Sequence, residues 1–95
     1  MIGEFVIVRT RSAGVHCGYI QEFTGHSTCL ILKEGRRIWR WRGANTLNEV
    51  SLRGIDESYS RISEPVPTIC LTEAIEVIPC SEEARKNLSR SRWGD

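Results

Sequence analysis

The sequence predicts an α+β domain: an antiparallel β-meander forming a small curled sheet of five to six strands, with two short helices. Three observations point there. From Phe5 to Arg42, runs rich in β-branched and aromatic residues follow one another with only turn residues between them. The helix-start signatures Thr46-Leu47-Asn48-Glu49 and Ser81-Glu82-Glu83 come only after those runs. The 95 residues, 40% hydrophobic and 26% charged, suffice for one modest core. The chain therefore reads as a single domain over 1–95, with 89–95 as an extended C-terminal tail.

The elements follow in order. Phe5-Val6-Ile7-Val8-Arg9-Thr10 is a compact β-branched run, the signature of a central strand. Ser12-Ala13-Gly14 supplies a turn, and His16 to Phe23 a second strand with Tyr19, Gln21 and Phe23 on one face. Thr24-Gly25-His26-Ser27 turns the chain again into a third strand, Thr28 to Lys33. Glu34-Gly35 reads as a tight hairpin into a fourth, Arg36 to Arg42. Gly43-Ala44-Asn45 then breaks the β pattern. Thr46 and Glu49 have capping-box spacing for a helix over 47–53 that ends at Gly54. Ile55 to Pro67 is polar and reads as surface loop. Thr68-Ile69-Cys70-Leu71 and Ala74-Ile75-Glu76-Val77-Ile78 return as short strands. Ser81 caps a second helix through Leu88, with Glu82 and Glu83 at its positive end.

Composition excludes several classes. No apolar run approaches the ~20 residues of a membrane helix, and the N-terminal residues lack secretory-signal character, so the chain reads as a soluble cytoplasmic protein. Net charge is +1, with an excess of +3 over residues 1–50 and −2 over 51–95, so no overall field drives it to nucleic acid or membrane. The four cysteines, Cys17, Cys29, Cys70 and Cys80, read as reduced thiols, Cys29 and Cys70 as small hydrophobes among apolar neighbours. A zinc site from His16-Cys17 and His26-Ser27-Thr28-Cys29 lacks a second closely spaced ligand pair, so no metal is expected.

The most informative stretch is Arg36-Arg37-Ile38-Trp39-Arg40-Trp41-Arg42. Strand alternation places Arg37, Trp39 and Trp41 on one face and Arg36, Ile38, Arg40 and Arg42 on the other. Two readings stand side by side. In one, the indoles form core and the arginines are solvated. In the other, the indoles form a flat ledge and the guanidiniums meet phosphates, a partner or another subunit. The turn at Gly14, beside Arg9 and Arg11, adds backbone amides that could face an anion. The candidate ligand-binding set is thus Arg9, Arg11, Arg36, Arg37, Trp39, Arg40, Trp41 and Arg42. No catalytic constellation appears: His16 and Cys17 are adjacent and so point to opposite faces, and no phosphate-loop glycine pattern is present. The expectation is a non-enzyme without cofactor.

Val6 to His16, Arg36 to Ala44 and Leu71 to Pro79 together resemble a family of small tailed-bacteriophage proteins of unknown function, marked by an Arg-Arg-Ile-Trp-x-Trp-x-Gly-Ala block. Where that family usually has Tyr or Phe, this chain carries Arg11, Cys17 and Arg40, which makes the block more cationic. The resemblance implies phage origin and expression in host cytoplasm, and it brings no catalytic residues. Joined to the Arg/Trp block, it implies a homo-oligomeric counter-defence protein that sequesters an anionic nucleotide signal or blocks a host defence protein. A virion decoration protein is the alternative, and nucleic-acid binding a further one. The terminal Trp93 fits an interface or clasp.

Overall fold

In a computed structural model, residues 1–23 and 29–94 are described. The elements are β1 (Phe5–Thr10), β2 (Val15–Phe23), β3 (Leu30–Arg40), α1 (Leu47–Arg53), β4 (Arg61–Ile62), β5 (Val66–Leu71), β6 (Ala74–Pro79) and α2 (Glu82–Arg90). The strands form one antiparallel sheet in the order β4-β3-β2-β1-β6, with β5 also on β3. The curled α+β architecture is the one expected from sequence. The turn at Thr24–Ser27, the strand start at Thr28 and His26 of the zinc reading lie outside the described residues.

The curl has a definite cause. β5 lies along the free edge of β3 and β6 along the free edge of β1, yet only Thr72 and Glu73 separate the two strands. Leu71 and Ala74 are three Cα steps apart, at most about 11 Å. A flat sheet would hold its edges farther apart, so β3, β2 and β1 must bend until the edges nearly meet. The bend gives two apolar layers. Inside it, Val6, Val8, Ile20, Leu30, Leu32 and Leu71 form a cluster drawn from strands alone. On the outer face, Phe5, Ile7, Cys17, Ile38 and Ile62 pack against Val50, Ile55 and Leu88 of the helical side. β1 alternates between the two layers, which is why its unbroken Phe-Val-Ile-Val run is buried on both faces.

Three readings from sequence are corrected. Glu34-Gly35 is not a hairpin. β3 runs straight through it, and the ladder to β2 passes from Cys17↔Arg36 to Tyr19↔Lys33, one residue longer on β3. Glu34 takes a left-handed φ of 55° and absorbs that residue as a β-bulge, which bends the strand without reversing it. Gly35 lies against Ile69, whose Cδ1 would be 2.7 Å from any added Cβ. β2 has its own irregularity between Ile20 and Glu22, so Tyr19 packs on the outer cluster while Phe23 packs on the inner one. The loop reading of Ile55–Pro67 misses β4 and the start of β5, as well as buried Ile55 and Ile62. Residues 89 and 90 continue α2, and 91–94 dock beside β4, as the site geometry below shows.

The helices form as their caps predict. Thr46 Oγ1 accepts from the Glu49 amide at 3.3 Å, and Ser81 Oγ accepts from the Ala84 amide at 3.0 Å. The Glu49 carboxylate reaches the Asn45 amide rather than completing the box at Thr46, and those bonds hold it below its ordinary pKa. Asn87 fixes α2 to the turn after α1. Its Oδ1 accepts from Ile55 N at 2.8 Å and its Nδ2 donates to Ile55 O at 2.9 Å.

Candidate functional site: an arginine clasp and an exposed tryptophan stack

The Arg/Trp block divides according to depth. Arg36 points into the outer layer and is 7% exposed. Its guanidinium donates to the carbonyls of Ser63 (2.8 Å), Leu88 (2.7 Å), Ser89 (3.0 Å) and Ser91. Three of these acceptors lie at or just beyond the C-terminal end of α2, where carbonyls without helical partners carry the negative end of the helix dipole. A cation suits that place. Burial lowers the pKa of Arg36 from its usual range, yet the fork of donors spans acceptors that would otherwise be orphaned.

That clasp draws the last residues onto the sheet. Trp93 forms an antiparallel bridge with Arg61 of β4. Gly94 N donates to Ser60 O at 2.8 Å, and Arg61 Nε donates to Gly94 O at 3.2 Å. The segment thus lies along the outer edge of β4 through one isolated bridge, and Ser91 is buried.

The docked segment brings two tryptophans together. The Trp39 and Trp93 ring centroids are 5.4 Å apart with an interplanar angle of 28°, a stacked pair. The Arg61 guanidinium carbon lies 5.7 Å from the Trp39 centroid and 5.3 Å from that of Trp93, and Arg40 lies 5.8 Å from Trp39. Trp39 is 57% and Trp93 55% exposed. Trp41 is different: its indole is half-buried against the helical core and its Nε1 donates to Ala44 O at 3.2 Å.

Two depressions flank the stack. One, of about 390 Å³, is lined by the Ser12–Val15 turn, Arg37, Ile38 and Trp39. The other, of about 740 Å³, runs from Arg36 and Ser63–Pro65 to Arg92 and Trp93. Arg37 Nε also donates to His16 Nε2 at 3.4 Å, on the wall of a separate depression of about 210 Å³. Burial, and then the Arg37 charge, lower the His16 pKa to about 4, so its ring is neutral at neutral pH. Its Nδ1 is buried and has no hydrogen-bond partner among the described residues.

The structure therefore gathers Arg37, Trp39 and Arg40 of the sequence-derived set around one exposed surface. It does not gather the rest. Arg36 is committed to backbone carbonyls, and Trp41 to the core. Arg9 pairs with Glu76 at 3.1 Å. Arg11 sits beside the turn with its amide on Glu73 O, and Arg42 lies beyond the end of β3. The expected cationic face of Arg36, Arg40 and Arg42 is broken by the ladder irregularity between Ile38 and Arg40 and by the strand's end. Arg61 escaped notice because a two-residue strand carries no periodicity. Trp93 stood in sequence only as a lone terminal indole. Among the described residues, no three His, Cys, Asp or Glu side chains gather where they could hold a metal ion. Among the same residues, no helix is long and apolar enough to cross a membrane.

No curated protein and no solved structure matches the chain significantly. The profile of one domain family of unknown function, DUF6948, matches residues 3–88. The match takes in the whole sheet, including Trp39 and Arg61, and stops within α2, so Trp93 lies outside it. On that coverage, the chain belongs to the DUF6948 family of domains of unknown function.

Proposed function

We propose that this chain is a non-enzymatic binding protein whose Trp39–Arg61–Trp93 platform captures a small anionic nucleotide. One observation carries the reading: two stacked indoles, each more than half exposed, with a guanidinium against both rings. A domain short of core would gain by burying such rings, and exposed aromatic patches mark binding surfaces. A nucleobase stacks on an indole face, and Arg37 and Arg40 stand near enough to Trp39 to meet phosphates. The platform is open to solvent, and a second copy of the chain would close it over a ligand. The biological setting we propose is phage counter-defence in host cytoplasm, by withholding a nucleotide signal from a defence system; the resemblance noted in the sequence supports that setting.

Calorimetry with cyclic dinucleotides, cyclic trinucleotides and cyclic ADP-ribose isomers tests the site. Micromolar binding by at least one is expected. Trp39→Ala should weaken it roughly 5- to 150-fold, the range of about 1–3 kcal/mol per stacked base. Arg40→Ala should weaken it as well, through lost phosphate contact. Native mass spectrometry of the same sample reads the subunit number. No binding at micromolar concentration, together with a monomeric mass, refutes the proposal.

A further inference from the structure

We propose that Cys29 and Cys70 are a reversible disulfide pair that fastens β5 to the start of β3 and so locks the curl of the sheet. Sequence had placed both among apolar neighbours as small packed hydrophobes. The structure puts Cys70 on the surface and Cys29 half-buried, with their sulfur atoms 3.5 Å apart across 41 positions of chain. The contact is held from both sides. Leu30 pairs with Leu71 and Ile31 with Cys70, so the cysteines are diagonal neighbours on one ladder. Leu30 and Leu71 are both buried in the inner cluster and anchor the two backbones. Closing the bond shortens the sulfur separation from 3.5 Å to about 2.0 Å.

The other two thiols do not compete. Cys17 is fully buried and Cys80 half-buried, and burial pushes both up to about 12, where thiolate is scarce. The hydrogen bond shared with Cys70 also raises the Cys29 thiol, which makes exposed Cys70 the group that an external reagent meets first.

The oxidant is a small disulfide such as glutathione disulfide. Cys70 gives up its proton, and its thiolate attacks one sulfur of the oxidant, breaking that S–S bond and expelling one glutathione thiolate. Cys29 then loses its proton and attacks Cys70 Sγ in the mixed disulfide, expelling the second glutathione thiolate. The protein loses two electrons and two protons, and the oxidant gains them as two thiols. The new link closes the long loop through α1, β4 and β5, so it removes entropy chiefly from the unfolded chain.

The test incubates the full chain with glutathione disulfide or with dithiothreitol, then alkylates and maps peptides by mass. A Cys29–Cys70 cross-linked peptide is expected, with a melting temperature on the order of 10 °C higher in the oxidised form. Cys29→Ser should instead retain a glutathione adduct on Cys70. The double variant C29S/C70S should melt at the same temperature under both conditions. Wild-type protein carrying only glutathione adducts, a cross-link through Cys17 or Cys80, or a cross-linked form with an unchanged melting temperature would each overturn the proposal. The wild-type mapping decides even where a variant fails to fold.

Discussion

Replacing Arg36 by Met removes the clasp while keeping a long apolar stem of similar reach. The charged donor lies against four backbone carbonyls, and its bonds to Leu88 and Ser91 are themselves buried. Losing those two bonds leaves acceptors that water cannot easily reach, at about 1–3 kcal/mol each. Part of that is offset because the variant no longer desolvates a guanidinium. The net expected loss is about 3–4 kcal/mol, against roughly 5–14 kcal/mol for a domain of this length. Thermal unfolding followed by circular dichroism should show a melting temperature lowered by about 15–25 °C. Hydrogen exchange should show the Ser91 and Gly94 amides losing protection before the sheet does, because the first closes the last turn of α2 on Asn87 and the second ties the released segment to Ser60. Arg36→Lys keeps the charge but gathers its donors on one atom, so it should recover less than half of the loss. A shift under 5 °C for Arg36→Met, with Ser91 and Gly94 still protected, would show that the clasp does not hold the C-terminal segment.

Asn87→Ala strips both Ile55 backbone groups of their buried partners and should cost about 2–4 kcal/mol, read from the urea midpoint; a loss below 1 kcal/mol contradicts the pairing. Gly54→Ala forces a Cβ to within 2.3 Å of Asn87 Oδ1 at a φ of 86°, so a loss of about 2–3 kcal/mol is expected in the same assay, and a neutral result would refute the close contact. His16 titrates near 4 in the fold and near 6.5 once unfolded, so between those values the unfolded chain holds the extra proton. Stability is therefore lost as pH falls through that window, by about 2–3 kcal/mol at pH 4.5. His16→Gln should lack that component, and parallel falls for both proteins would end the argument. Trp93→Ala should abolish the exciton-coupled circular dichroism of the Trp39–Trp93 pair; an unaltered spectrum would mean that the indoles do not stack in solution.

Local chemistry was legible in the sequence wherever the decisive partners lie within a few residues. Thr46 and Ser81 had to cap helices because their hydroxyls reach amides three residues on, and Phe5–Thr10 had to be a buried strand because so few polar groups interrupt it. What sequence could not decide depended on distant pairing. Glu34-Gly35 has the composition of a reversal, but β2 on one side and β5 on the other hold β3 straight through it. Alternation along residues 36–42 grouped Arg36 with Arg40, yet a helix end 52 positions away claims the first and leaves the second at the surface. The platform and the Cys29–Cys70 contact belong to the same class. Each joins residues tens of positions apart, and only the curl of the sheet and the docking of residues 91–94 bring them within reach.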